Sequence, residues 1–229
     1  MPDPGLPGLR LLQLISPTLP TGAFTYSQGL EWAVACGWVS DFDDTRRWLS
    51  SVLEDGLQYL ELPVLARLYR AVEGNDAEAF RHWSRWAYAS RETAELRDEE
   101  RQRARALYAV LGRLPDSPSW PELDEWRDAL LHCQLGGYAL AAMRWRIALD
   151  ELLRGYAWSW LESAVAAAIK LVPLGQTEGQ RLLYELSTDI GTLVGEARRI
   201  REDAIGASTP ALAIASSLHE TQYSRLFRS

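Results

Sequence analysis

The chain has 229 residues, 47% of them hydrophobic and 24% charged, with a formal net charge of −7. That length buries a substantial core in one domain, and the composition excludes both a disordered chain and a disulfide-dense mini-protein. The acidic balance argues against a general role on nucleic-acid backbones, where binding depends on releasing counterions from a basic surface.

Residues 1–8 contain three prolines and lack a basic stretch followed by an apolar one, so they read as a flexible leader and not as a secretory signal. A short apolar helical turn is expected over residues 9–15. Pro17 and Pro20 then impose an irregular loop, since each removes a donor and restricts its predecessor. Thr25 with Gln28 has the spacing of a capping box, opening a helix that Gly37 ends. Asp41 can cap a long helix in which Leu49, Val52, Leu53, Leu57 and Leu60 recur on one face, and Pro63 is expected to kink or split it.

Asn75 with Glu78 predicts the next start, for a helix through Tyr88. Further helical patterns cover residues 91–111, 122–149 and 151–172, with a loop at 115–121 before a start signal from Ser119 and Glu122. Thr177 with Gln180 opens another helix, and Thr209-Pro210 supplies a cap followed by the residue best tolerated at the first helical position. No stretch alternates with period two for long enough to predict a strand. The expectation is an all-α, single-domain bundle of about ten mostly antiparallel helices spanning residues 1–229, with short connections.

The residue inventory points away from autonomous chemistry. Lys170 is the only lysine, and no glycine-rich phosphate loop precedes it, so the chain does not hold a nucleotide in that way. His82, His132 and His219 lie far apart, and the adjacent His132 and Cys133 point about 100° apart on a helix, so no metal site is predicted. No Gly-x-Ser-x-Gly elbow is present. Cys36 and Cys133 read as buried free thiols in apolar helices. The longest apolar tract, residues 156–172, is interrupted by Glu162 and Lys170 and falls short of the ~20 residues that span a bilayer. A cytosolic protein that binds no membrane follows as the expectation.

Four constellations remain. Phe24, Tyr26 and Trp32 cluster after the proline loop, as core aromatics or as partner anchors. Arg97, Arg101 and Arg105 form a column at four-residue spacing near Arg91, Glu92 and Glu95, either a solvated face laced with ion pairs or a docking stripe for carboxylates or phosphates. The small-residue tract around residues 158–175 suits close helix approach in the core or at a dimer interface, with Lys170 complementing a helix end. Residues 219–229 place Tyr223, Leu226 and Phe227 near the end of the sequence, where they dock on the chain itself or order on a partner.

Together these segments resemble the urease accessory protein F family, UreF. The resemblance lies in Ser-Pro-Thr-Leu-Pro-Thr-Gly-Ala-Phe-Thr-Tyr-Ser-Gln-Gly-Leu-Glu at 16–31, Arg-Glu-Thr-Ala-Glu-Leu-Arg at 91–97, Lys-Leu-Val-Pro-Leu-Gly-Gln at 170–176 and His-Glu-Thr-Gln-Tyr-Ser-Arg-Leu-Phe at 219–227, in the family's order. Residues 205–210 add a weaker likeness, and 116–124 none. The resemblance implies an all-α, usually dimeric factor that bridges the accessory protein D (also called H) and the nickel-carrying GTPase G on apo-urease. Nickel belongs to that pathway, and no cofactor is implied for this chain alone. By position, Tyr223, Ser224, Arg225, Leu226 and Phe227 would contact the D/H protein. Ser27, Glu31, Arg91, Glu92, Glu95, Arg97 and Lys170 would face the GTPase. Two other roles stay open, a direct nickel carrier and a regulator lending the GTPase a catalytic arginine, Arg91 or Arg97.

Overall fold

The computed structural model describes residues 5–206 and 209–229, and among them every regular element is helical. In chain order these are α1 (Leu6–Leu14), α2 (Leu30–Ala35), α3 (Phe42–Ser51), α4 (Leu62–Glu73), α5 (Ala77–Ala89), α6 (Ala94–Leu111), α7 (Glu122–Glu125), α8 (Arg127–Leu130), α9 (Gln134–Arg144), α10 (Leu149–Leu171), α11 (Gln176–Ser187), α12 (Ile190–Ala197) and α13 (Pro210–His219). The all-α expectation holds. Of the leader, residues 1–4 lie outside the described residues, whereas Leu6, Pro7 and Gly8 already belong to α1, with Pro7 in the first turn where its missing N–H costs nothing. Ala207 and Ser208, within the weaker likeness at 205–210, also lie outside the described residues.

The chain does not split at Pro63. It stays helical from α3 into α4, and the ten residues Val52–Glu61 between them are wound as a wider π-type helix. Proline cannot donate to the carbonyl four residues back, which would be that of Tyr59. The Gly206 N–H bonds the Tyr59 oxygen instead at 3.1 Å, so the continuous helix leaves no orphan there.

Several cap assignments shift. Asp41 caps α3 as expected, accepting from the Asp44 N–H at 2.9 Å. Asn75 takes a left-handed conformation and Asp76 caps α5 in its place, accepting from the Glu78 and Ala79 N–H groups. Thr25 starts no helix, because Gln28 and Gly29 both have positive φ and α2 begins only at Leu30. Neither Ser119 nor Thr177 caps; α7 follows Pro121, and at α11 the Glu178 carboxylate reaches back to the Gly175 N–H at 2.8 Å. Residues 122–149 are broken into three helices, α7 to α9.

At the centre α9 packs against α4 and α6, and α4 also against α5. Leu62, Leu65 and Leu68 of α4 and Ala139, Leu140 and Ala141 of α9 are fully buried. Gly136 and Gly137 permit the approach: an added Cβ would sit 2.8 Å from the Phe80 ring and 2.6 Å from a Leu107 methyl. A second, smaller cluster joins Leu30, Ala33 and Val39 to Ala168, Val172 and Ala215, and seats α13 against α2. Among the described residues no helix is long and apolar enough to cross a membrane.

Candidate functional site

The motifs read separately along the sequence meet in one corner of the molecule. Glu31, in the first turn of α2, is buried and accepts two main-chain N–H groups of the carboxyl-terminal segment, that of Leu226 at 2.6 Å and that of Phe227 at 2.8 Å. Hydrogen bonds to an ionised acceptor are roughly twice as strong as neutral ones, so this carboxylate is a firm clamp. Ser27 clamps the next stretch through its N–H and hydroxyl, both directed at the Ser229 main-chain oxygen at 2.7 and 2.6 Å. The Arg228 N–H adds a bond to the Thr25 carbonyl at 2.9 Å.

The α6 motif closes the other side. Glu95 receives Arg225 Nη1 on one oxygen and faces His219 Nδ1 with the other, each at 2.7 Å. His219, at the end of α13 and wholly buried, turns Nε2 toward Glu31 at 3.3 Å, so its ring is held between the two carboxylates. Thr93 caps α6 and also meets the Ser216 hydroxyl of α13 at 2.8 Å. The Glu220 carboxylate takes the Ala94 N–H at 2.9 Å, in the first turn where a negative charge suits the helix dipole. Gly29 is required here: its φ is +82°, and a Cβ would come within 2.8 Å of the Ser216 nitrogen.

Of the expected contact residues in the tail, Phe227 is turned inward and buried, with Lys170 Nζ 5.5 Å from its ring centroid. Tyr223 stands fully exposed and Leu226 is 67% exposed, while Ser224 and Arg225 lie on the surface beside them. The tail therefore docks on its own chain and still offers two large apolar side chains outward.

The residues expected to face a GTPase divide by depth. Arg91 is only about 12% exposed and pairs with Glu61 and Glu100 at 2.5 and 2.7 Å. Arg97 donates to the Arg91 carbonyl at 2.6 Å, which ties the start of α6 to the loop before it. Glu92 and Arg97 line an open surface groove with Ile214 and Leu218 of α13. Lys170 is exposed. The arginine column does not act as one stripe, since Arg97 is turned to the Arg91 carbonyl and Arg101 pairs with Asp98.

Beneath this corner lies a buried polar network that spacing did not reveal. Burial pushes the Glu61 carboxyl up, but the Arg91 guanidinium and the Tyr156 hydroxyl at 2.5 Å outweigh it and hold the group below the ordinary carboxylate range. The same two carboxylates, Glu61 and Glu100, overcome desolvation of Arg91 and hold its guanidinium well above its ordinary value, permanently charged. Glu100 also accepts the Gln134 N–H at 2.7 Å at the start of α9, and so links the corner to the central helix. Gln28 bridges Glu99 and the Trp160 indole, each at 3.0 Å. The sequence showed these as isolated carboxylates and amides on helical faces; only long-range packing pairs them.

The cysteines differ from expectation in one respect: both are free, but Cys36 is exposed and only Cys133 is buried. Burial, aided by the nearby Glu100 carboxylate, pushes the Cys133 thiol up to about 12, so it is a neutral, unreactive core group. Among the described residues no group of three or more histidine, cysteine, aspartate or glutamate side chains is arranged to hold a metal ion.

These features define an all-helical protein whose distant motifs converge on a carboxyl-terminal segment locked by buried carboxylates. The sequence model of UreF matches residues 39–187. The urease accessory protein UreF of Alcanivorax borkumensis is 59% identical over 222 residues, covering 96% of this chain and 97% of the relative. Its namesake from Pseudomonas putida strain F1 is 52% identical over 221 residues, with the same shares covered, and that of Alkalilimnicola ehrlichii 47% over 227, covering 99% and 98%. The chain belongs to the UreF family of urease accessory proteins.

Proposed function

We propose that this protein acts in urease maturation as a non-catalytic bridge, working as a cytoplasmic homodimer. It joins the D/H accessory protein to the nickel-carrying GTPase G on apo-urease and so promotes nickel insertion. Nickel is the cargo of that assembly. The observation that carries the reading is the convergence of the four family motifs on one corner, where the tail is clamped by Glu31, Ser27 and Glu95 yet presents Tyr223 and Leu226 to solvent. Apolar side chains held outward on a fixed backbone bind with little further ordering cost, which suits a docking surface. The groove beside Glu92, Arg97, Ile214 and Leu218 runs along the α6 motif and supports a GTPase-facing role for Glu92 and Arg97 of the expected set. An arginine lent to the GTPase fits less well, because Arg91 would have to leave Glu61 and Glu100.

Bridging is tested by copurification. With tagged D/H protein as bait, the GTPase should be retained when this chain is present and lost when it is omitted. Equal retention of the GTPase without this chain would refute the bridge.

A further inference from the structure

A cleft on a different part of the surface has the composition of a ligand site. Helix α5 carries Arg81, Ser84, Arg85 and Tyr88 at three- and four-residue intervals, hence on one face. With Ala89, and with Asp128, Ala129 and His132 from α8 and the turn after it, they line a cleft of about 510 Å³. That is the size of pockets that hold small organic molecules.

Two observations point to donors in the cleft that a ligand could engage. Arg81 and Arg85, one helical turn apart on the cleft wall, have no ion-pair or hydrogen-bond partner among the described residues. Ser84 is 2% exposed and its hydroxyl has no partner. A buried polar atom left unmet is costly and uncommon, and a ligand oxygen would complete it. His132 supports the same end: its Nδ1 donates to the Asp128 carbonyl at 2.7 Å, which leaves Nε2 available. The Tyr88 ring, edge-on to His132 at 6.1 Å and beneath Arg101 at 5.7 Å, and the methyl groups of Ala89 and Ala129 give the cleft an apolar side.

We propose that this cleft binds a small phosphate monoester whose organic part is apolar. Two guanidinium groups and a hydroxyl outnumber the two oxygens of a carboxylate but match the three terminal oxygens of a phosphate ester. The Asp128 carboxylate, also in the lining, repels a second anionic group and disfavours polyphosphates. The apolar wall accepts the ester's organic group.

Calorimetric titration of the full chain with phenyl phosphate tests the assignment, with phenol, benzoate and inorganic phosphate as comparison probes. Saturable binding of phenyl phosphate is expected, with weaker binding of benzoate and inorganic phosphate and none of phenol. Arg81→Gln and Arg85→Gln, both at exposed positions, should each lower the affinity about tenfold or more, with the helical circular dichroism unchanged. Ser84→Ala should lower it less. Absence of saturable binding, equal affinity for inorganic phosphate and phenyl phosphate, or undiminished binding in the Arg81→Gln/Arg85→Gln double variant would each overturn it.

Discussion

Around α9 the chain buries leucine and alanine against paired glycines, and local helical periodicity is enough to place them. Around the carboxyl-terminal segment it buries Glu31, His219, Glu99 and Ser27, each with a partner more than 120 residues away in sequence. The first region tolerates loss of a contact by partial collapse, whereas the second depends on every charge keeping its partner. The difference suggests why the motifs cluster where they do: a clamp made of polar bonds holds a short segment in one geometry that apolar packing alone would leave loose.

Removing the cation shared by two buried ion pairs should cost most. Arg91→Met leaves Glu61 and Glu100 buried without their cation and is expected to lower stability by about 3–5 kcal/mol in urea unfolding. Leu65→Ala, in the apolar centre, should cost about 2–5 kcal/mol and leave the tail's amide protection unchanged.

Acid should weaken the buried polar network. Glu61 has a folded-state pKa below its ordinary 4.5, so its contribution is present above that pH and is lost as pH falls through the lowered value. Stability should therefore drop below about pH 4.5, and less steeply in Glu61→Gln than in the native chain when both are followed by urea midpoints. A smaller, local effect is expected of Glu31→Gln: hydrogen exchange at Leu226 and Phe227 should accelerate, reporting a loss of about 1.5–3 kcal/mol in tail docking, while exchange in α9 stays as it was.

Much of the fold was legible because helix signals are local. The face of Leu49, Val52, Leu53 and Leu57, the Asp41 cap and the all-α class all follow from spacing. The errors came where tertiary bonds replaced local ones. Gln28 has capping-box spacing from Thr25, yet its amide is taken by Glu99 and Trp160 and its backbone turns left-handed. Pro63 should break a helix, yet the Gly206 N–H satisfies the carbonyl it frees. The resemblance singles out the tail residues, but spacing does not tell that Phe227 faces inward while Tyr223 and Leu226 face out, because an irregular segment has no period to read. The Arg81 to Tyr88 cleft carries no signal beyond helical spacing, since its other wall comes from residues 40 or more positions on.

In the proposed bridge, the outward side chains of the clamped tail dock the D/H accessory protein. Its most direct test is a titration of that partner with the Tyr223→Ser/Leu226→Ser variant, whose substitutions lie on the surface and leave the Glu31 and Ser27 bonds in place. Affinity should fall about tenfold or more with the thermal unfolding midpoint unchanged. An affinity equal to that of the native chain would rule out docking through these side chains.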